Sequence, residues 1–270
     1  MAILEINNLH VSVKDKPILK GINLTIDTSK TVALLGPNGN GKSTLLQTIM
    51  GNPNYHVDQG SIKFDGIDIT NMEVDQRSKL GIFLGMQNPS EVPGVNNADF
   101  LKAALNAHKE KPVALFEFYK VLNNACEETE ISFEMSNRNL NEGFSGGEKK
   151  KNEILQMLIL NPKITMLDEI DSGLDVDAIQ LVSKIISNEQ KNGKGFLIVS
   201  HYARLYDLIN VDNVIVLING KIALIGNREL IKKIDKEGYE WLKQELNIEE
   251  EKPRLSLNTC ATKEAMKKAK

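Results

Sequence analysis

The chain has 270 residues, 41% hydrophobic and 26% charged, with a formal net charge of -3 and a pI near 5.9. That length can bury a large core as one domain or as one with an inserted lobe, and the slightly acidic balance lacks the basic footprint of a nucleic-acid binder. No apolar run approaches the roughly 18–20 residues that cross a bilayer, and the start shows no signal-peptide pattern, so a cytoplasmic protein without membrane insertion is expected.

In chain order, residues 4–9, 18–26 and 61–64 combine alternating or β-branched apolar residues with turn signals such as Asp65-Gly66, and predict an antiparallel layer. Between them an apolar strand, residues 31–35, runs into Gly36-Pro37-Asn38-Gly39-Asn40-Gly41-Lys42-Ser43-Thr44, which fits GxxxxGK[ST]. Glycines there let backbone N–H groups converge on phosphate oxygens at the start of a helix. The helix opening at Lys42 carries Leu45, Leu46 and Ile49 on one side and stops at Gly51-Asn52-Pro53. A strand over 81–86 leads into Gln87.

From 96 to about 131 the pattern is helical, broken at Pro112. Its stripe of Phe100, Leu101, Ala104, Leu105, Leu115, Phe116, Phe118, Tyr119 and Leu122 reads most simply as core, with partner contact as the other reading. Phe144-Ser145-Gly146-Gly147-Glu148 then precedes a helix over 149–160, closed by Pro162. Thereafter strand and helix alternate: a strand at 164–167, a helix at 178–190, a strand at 195–200 and a helix from about 203, implying a parallel sheet covered on its faces. A hairpin over 214–224 turns at Asn219-Gly220, and one last helix is expected over 228–246. From Glu249 on, an acidic triplet, a proline and a Lys-rich end predict a loose or separately docked tail. Cys126 and Cys260 are far apart with no metal-site spacing, so both read as structural or incidental.

The candidate site gathers at the C-terminal ends of the parallel strands, where ligands collect in open α/β sheets. Lys42 is placed to meet β- and γ-phosphate, and Ser43 offers a hydroxyl to Mg²⁺. Asp168, ending the run Ile164-Thr165-Met166-Leu167, should hold the same metal; Glu169, a second carboxylate free of that duty, is the expected general base for the attacking water. His201, after its strand, is expected to reach the γ-phosphate and steady the water or the transition-state charge, and Gln87 to touch metal and water while linking to a mobile lobe. His10, His56 and His108 read as surface or packing residues. Ser145, Gly146 and Gly147 give a hydroxyl, close backbone and a helix N-terminus, a second anion site. A chain that already owns one phosphate cradle would use that site in trans, so a head-to-tail pair with ATP between the copies is expected.

Loop, glutamine, glycine-serine string, Asp168-Glu169, Ser172-Gly173-Leu174-Asp175 and histidine stand in the order of an ABC-type ATPase, which the chain resembles over nearly its whole length. Finer spelling resembles the SufC family of the Suf iron-sulfur cluster assembly machinery: LHVSVKDKPILKGINL from Leu9, QNPSEVPGV from Gln87, ALNA at Ala104, GFSGGEKKKNEILQM from Gly143, DEIDSGLD from Asp168 and SHYARL from Ser200. The resemblance implies an α/β P-loop ABC ATPase fold: a RecA-like core, an antiparallel β layer and an inserted α-helical subdomain. Its parts would be 1–86 and 153–247 for the nucleotide-binding core, 87–152 for the helical subdomain with the signature, and 248–270 for the tail. It implies ATP and Mg²⁺ as cofactors, hydrolysis to ADP and phosphate, Asp175 among the nucleotide-binding residues, and the scaffold subunits SufB and SufD as partners, with iron ligated elsewhere. A membrane-transporter subunit is the alternative; a DNA-handling or ribosome-associated ATPase is disfavoured by the short interval from Lys42 to Asp168 and by the acidic balance. Two departures stand out. FSGGE replaces the commoner LSGGQ, putting an acid near the cross-dimer phosphate, and Val13 stands where many relatives stack an aromatic on adenine, predicting modest nucleotide affinity.

Overall fold

The structure, a computed structural model, describes residues 2–200 and 203–246. In chain order its elements begin with β1 (Ile3–Val13), β2 (Lys16–Asp27), β3 (Thr31–Leu35), α1 (Lys42–Met50), β4 (His56–Phe64), β5 (Ile67–Asp68), α2 (Val74–Leu80) and β6 (Ile82–Gly85). A lobe follows, with β7 (Val92–Asn96), α3 (Asn97–Ala107), α4 (Leu115–Thr129), α5 (Phe133–Ser136), β8 (Asn139–Leu140) and α6 (Gly146–Leu160). Then come β9 (Ile164–Asp168), α7 (Val176–Lys191), β10 (Gly195–Val199), α8 (Ala203–Leu208), β11 (Asn213–Ile218), β12 (Lys221–Gly226), α9 (Glu229–Glu237) and α10 (Glu240–Glu245).

Apart from the short antiparallel pair β7-β8 in the lobe, the strands form the two layers that the apolar patterns predict. One is antiparallel, in the order β2-β1-β4-β5; its first hairpin turns on Lys14 and Asp15, both at positive φ as a two-residue turn between twisted strands requires. The other has the order β12-β11-β3-β10-β9-β6, parallel except for β12. Every residue of β3, β6, β9 and β10 is buried, so these strands carry continuous rather than alternating apolar runs. One core fills the space between the layers around α1, with Leu4, Ile6, Leu45 and Leu46; a second lies across the parallel sheet beneath α7, α8 and α9, with Ile185, Ile186, Tyr206 and Ile231.

A third, smaller core joins α3, α4 and α6 through Leu101, Leu105, Phe118, Leu122, Leu155 and Ile159. The predicted core stripe is therefore half right. Phe116 is 82% exposed and Leu115 57%, and Phe100 and Tyr119 are also exposed. The periodicity marks two apolar faces, and the chain itself covers one of them. A division at residue 152 falls inside α6, whose Leu155 packs in the lobe while Ile154 packs in the second core. The predicted last helix is two: Gly238 sits at φ 69, ψ −157, a combination open almost solely to glycine, and breaks it into α9 and α10. The short β5, α2, β7, α5 and β8 were not anticipated. The tail after Glu249 and Cys260 lie outside the described residues. Among the described residues no helix is long and apolar enough to cross a membrane.

Candidate functional site

The strand order sets four functional segments side by side. β3, β10, β9 and β6 are consecutive neighbours in the sheet, and their C-terminal ends lead into the phosphate loop, Ser200, Asp168-Glu169 and Gln87. His201, which the sequence assigns to this edge, lies outside the described residues.

At Gly36 the chain leaves β3 with φ +148, and a Cβ there would stand 2.1 Å from the backbone oxygen of Leu217, so glycine is required. The loop 36–41 ends at α1, whose N-cap is Gly41 with no side-chain cap and no acid in the first turn. Its first backbone N–H groups are thus left for a ligand, and the helix dipole favours an anion there. Lys42 is 6% exposed and donates through Nζ to the carbonyls of Gly36 at 2.7 Å and Pro37 at 3.1 Å. Burial lowers its pKa, while Glu169 and Asp168 oppose that shift and favour the cation. The loop's outer side is braced by the β11–β12 turn: Asn219 N–H donates to Asn40 Oδ1 at 2.6 Å and Gly220 N–H to the Asn40 carbonyl at 3.2 Å.

Asp168, 2% exposed at the end of β9, accepts a hydrogen bond from Ser43 Oγ at 3.2 Å. Burial raises its pKa, with the Ser43 bond acting against that. The hydroxyl and the carboxylate are hard oxygen donors of the kind that Mg²⁺ takes. Glu169 adopts φ +49, unusual for a non-glycine residue, and its N–H donates to the Val199 carbonyl at 2.9 Å. Its carboxylate accepts from Gln87 Nε2 at 2.6 Å. Lys42, Ser43, Gln87, Asp168 and Glu169 are therefore brought together, each held by a named contact.

The signature string is built differently. Ser145 caps α6: its Oγ accepts from Glu148 N–H at 3.2 Å, while Glu148 Oε2 accepts from Ser145 N–H at 2.7 Å. That N–H holds the Glu148 carboxyl below its ordinary range. Ser145 and Gly146 are exposed, and their hydrogen bonds stay within α6. Asp175 is likewise an exposed helix cap, accepting from Ala178 N–H at 2.8 Å at the start of α7. The hydrogen bonds of Ser145 and Asp175 at these caps are to neighbours in their own helices, Glu148 and Ala178.

Sequence reading missed what ties α6 to the glutamine segment. Glu153 Oε2 accepts from Met86 N–H at 2.9 Å, and Lys150 Nζ donates to the Met86 carbonyl at 3.0 Å. Burial pushes Glu153 up to about 7 and pushes Lys150 down. Lys149 pairs with Glu91 at 2.6 Å. A buried chain of amides continues the link: Asn97 Nδ2 donates to Asn152 Oδ1 at 3.0 Å, Asn152 Nδ2 to Asn141 Oδ1 at 2.9 Å, and Asn141 Nδ2 to the Ser90 carbonyl at 2.9 Å. The available signal was polar residues at core positions of a helix, which are retained only where they find partners.

Comparison with known proteins gives this geometry a family. The family model described as ABC transporter matches residues 19–172. A "Probable ABC transporter ATP-binding protein" of Streptococcus pyogenes serotype M18 is 52% identical over 92% of this chain and 98% of its own length. Vegetative protein 296 of Bacillus subtilis is 50% identical over 92% and 96%, and the "Probable ATP-dependent transporter ycf16" of Pyropia yezoensis 45% identical over 90% and 98%. Among solved structures, a dimeric ATP-binding cassette in a post-hydrolysis state with ADP and phosphate shares the fold, with a TM-score of 0.74 at 20% identity over 83% of this chain and 98% of that one. A nucleotide-free cassette from an ABC transporter gives 0.73 at 25% identity over 93% and 100%. With its phosphate loop, paired acids and signature helix in this arrangement, the chain belongs to the ABC transporter family as one of its ATP-binding cassettes, an ATPase that binds ATP with Mg²⁺ and hydrolyses it.

Proposed function

We propose that this cassette is the ATP-hydrolysing subunit of a Suf-type iron-sulfur cluster assembly complex, working on two scaffold subunits of the SufB and SufD kind. The observation that carries the reading is that the two strings most specific to it, QNPSEVPGV and GFSGGEKKKNEILQM, pack against each other, directly through Lys149 to Glu91 and indirectly through Asn141, which bridges Asn152 to Ser90. A partner seated on the helical lobe would then move the glutamine segment and the signature helix together. The exposed Phe100, Leu115, Phe116 and Tyr119 offer an apolar seat for such a partner.

On this reading the α1 N-terminus and Lys42 hold the β- and γ-phosphates, and Ser43, Asp168 and the Gln87 amide hold Mg²⁺. The metal supplies neutralisation of the phosphate charge. Glu169 takes a proton from water as the water oxygen attacks the γ-phosphorus; the bond to the bridging oxygen breaks and its electron pair leaves with ADP. His201 steadies the γ-phosphate. Ser145, Gly146, Gly147 and Asp175 of a second copy close over the nucleotide, so hydrolysis follows dimer closure. The helical subdomain ends within α6.

A second reading, the nucleotide-binding subunit of a membrane transporter, is favoured by the names of two relatives, a "Probable ABC transporter ATP-binding protein" and a "Probable ATP-dependent transporter". Native co-purification decides between them. Recovery of two soluble scaffold chains is expected, and recovery of an integral membrane permease would overturn the cluster-assembly reading.

A further inference from the structure

The phosphate loop has a brace from the far end of the chain. Through Leu35 the backbone of β3 is paired with β11, Leu35 lying opposite Val216. At Gly36 the chain turns out of the sheet while still buried, so its N–H needs a partner outside the ladder. The Tyr239 hydroxyl is that partner, accepting from Gly36 N–H at 3.0 Å. The carbonyl of the same residue accepts from Lys42 Nζ at 2.7 Å, and its α-carbon lies flush against Leu217. The residue that starts the loop is thus fixed on three sides.

Tyr239 is delivered there by its neighbours. Gly238 breaks the helix at its positive φ, and α10 is anchored on the second core by Leu242, 1% exposed, and by Trp241, whose ring carries Lys233 Nζ at 3.3 Å from its centroid. Burial raises the phenol's pKa, which keeps the hydroxyl protonated near neutrality, while the Gly36 bond acts the other way.

We infer that Tyr239 is a positioning residue for the phosphate loop, holding Gly36 so that the loop's N–H groups face the phosphates before nucleotide arrives, and that residues 238–242 thereby set nucleotide affinity. A loop shaped in advance loses less freedom when it binds. The tyrosine touches no phosphate in this scheme, and the scheme does not depend on which partner the cassette serves.

The test is the full chain with Tyr239→Phe, which keeps the ring and removes only the acceptor. Titration with fluorescent ATP and ADP analogues is expected to show both dissociation constants raised by about three- to tenfold, the scale of the net contribution of one intramolecular hydrogen bond. Steady-state kinetics are expected to show a matching rise in KM with kcat at saturation unchanged, the mark of lost ground-state binding. A purely packing role would lower the melting temperature without moving nucleotide affinity. Unchanged dissociation constants, whatever the melting temperature does, would overturn the inference; so would a fall in kcat at constant KM.

Discussion

The starts of α1 and α6 are both glycine-rich helix N-termini, and the chain finishes them in opposite ways. α1 has no side-chain cap, no acid in its first turn, and a loop braced by Asn219, Gly220 and Tyr239. The start of α6 closes on itself through the Ser145–Glu148 capping box, with Ser145 and Gly146 exposed. One terminus keeps its donors for a ligand within the chain. The other engages its Ser145 and Glu148 N–H groups in its own capping box, so an anion arriving from another molecule meets a carboxylate already there. On the proposed head-to-tail arrangement, the nucleotide held at one copy's α1 would meet, at the other copy's α6, a helix start that already carries a carboxylate.

The largest effect is expected at the chemical step. Glu169→Gln keeps the bond partners of the loop but removes the proton acceptor, and kcat should fall on the order of 10²- to 10⁴-fold with ATP still bound, leaving a dimer visible by gel filtration with MgATP. Turnover at the wild-type rate would take the base role away from Glu169. Next comes Lys42→Ala, which strips the loop of its cation; ATP affinity by calorimetry should drop on the order of a hundredfold, given the strength of charge-assisted hydrogen bonds. Affinity retained would mean that backbone N–H groups alone carry the phosphates.

Both of these residues were legible in the sequence, because a glycine-lysine loop and two acids after an apolar run are local patterns with one good structural explanation. Tyr239 and the Lys150–Glu153 grip were not. Their partners are a backbone N–H and a backbone peptide, which every residue possesses, so nothing in the spelling points to Gly36 or Met86. The exposed face of α4 was misread for a related reason: period 3.6 says that an apolar face exists, and covering it is decided by distant parts of the fold or by another molecule. Gly238 was visible as a letter, but only its placement between two docked helices shows that it breaks rather than ends a helix.

The grip on Met86 offers a pH-dependent contrast with the phosphate loop. Glu153 titrates at about 7 in the fold against an ordinary 4.5. Between those values the folded chain keeps a proton that the unfolded chain has released, so this contribution to stability is whole below about pH 4.5 and is lost as pH rises through about 7. Glu153→Gln has no proton to lose. Denaturant melts at pH 5 and pH 8 should show the wild type losing about 2 kcal/mol more than the variant over that interval. Parallel losses in the two proteins would mean that Lys150 keeps Glu153 ionised throughout.

The smallest effect bears most directly on the two helix starts. Glu148→Gln preserves the capping box, since a glutamine at this position also reaches back to the N-cap N–H, and it removes the negative charge from the surface that a partner's phosphate would meet. The Ser145 backbone should therefore hold its shape while the electrostatic cost of closure falls. Set in the Glu169→Gln background, where hydrolysis does not drain the closed state, the substitution should tighten MgATP-dependent dimerisation by about two- to fivefold in sedimentation equilibrium, the scale of one charge at an exposed helix terminus. The gain should shrink as salt is raised, because the charges are at the surface. Weaker dimerisation would mean that Glu148 shapes the signature for its partner, and that the closed box of α6 is the binding-competent form.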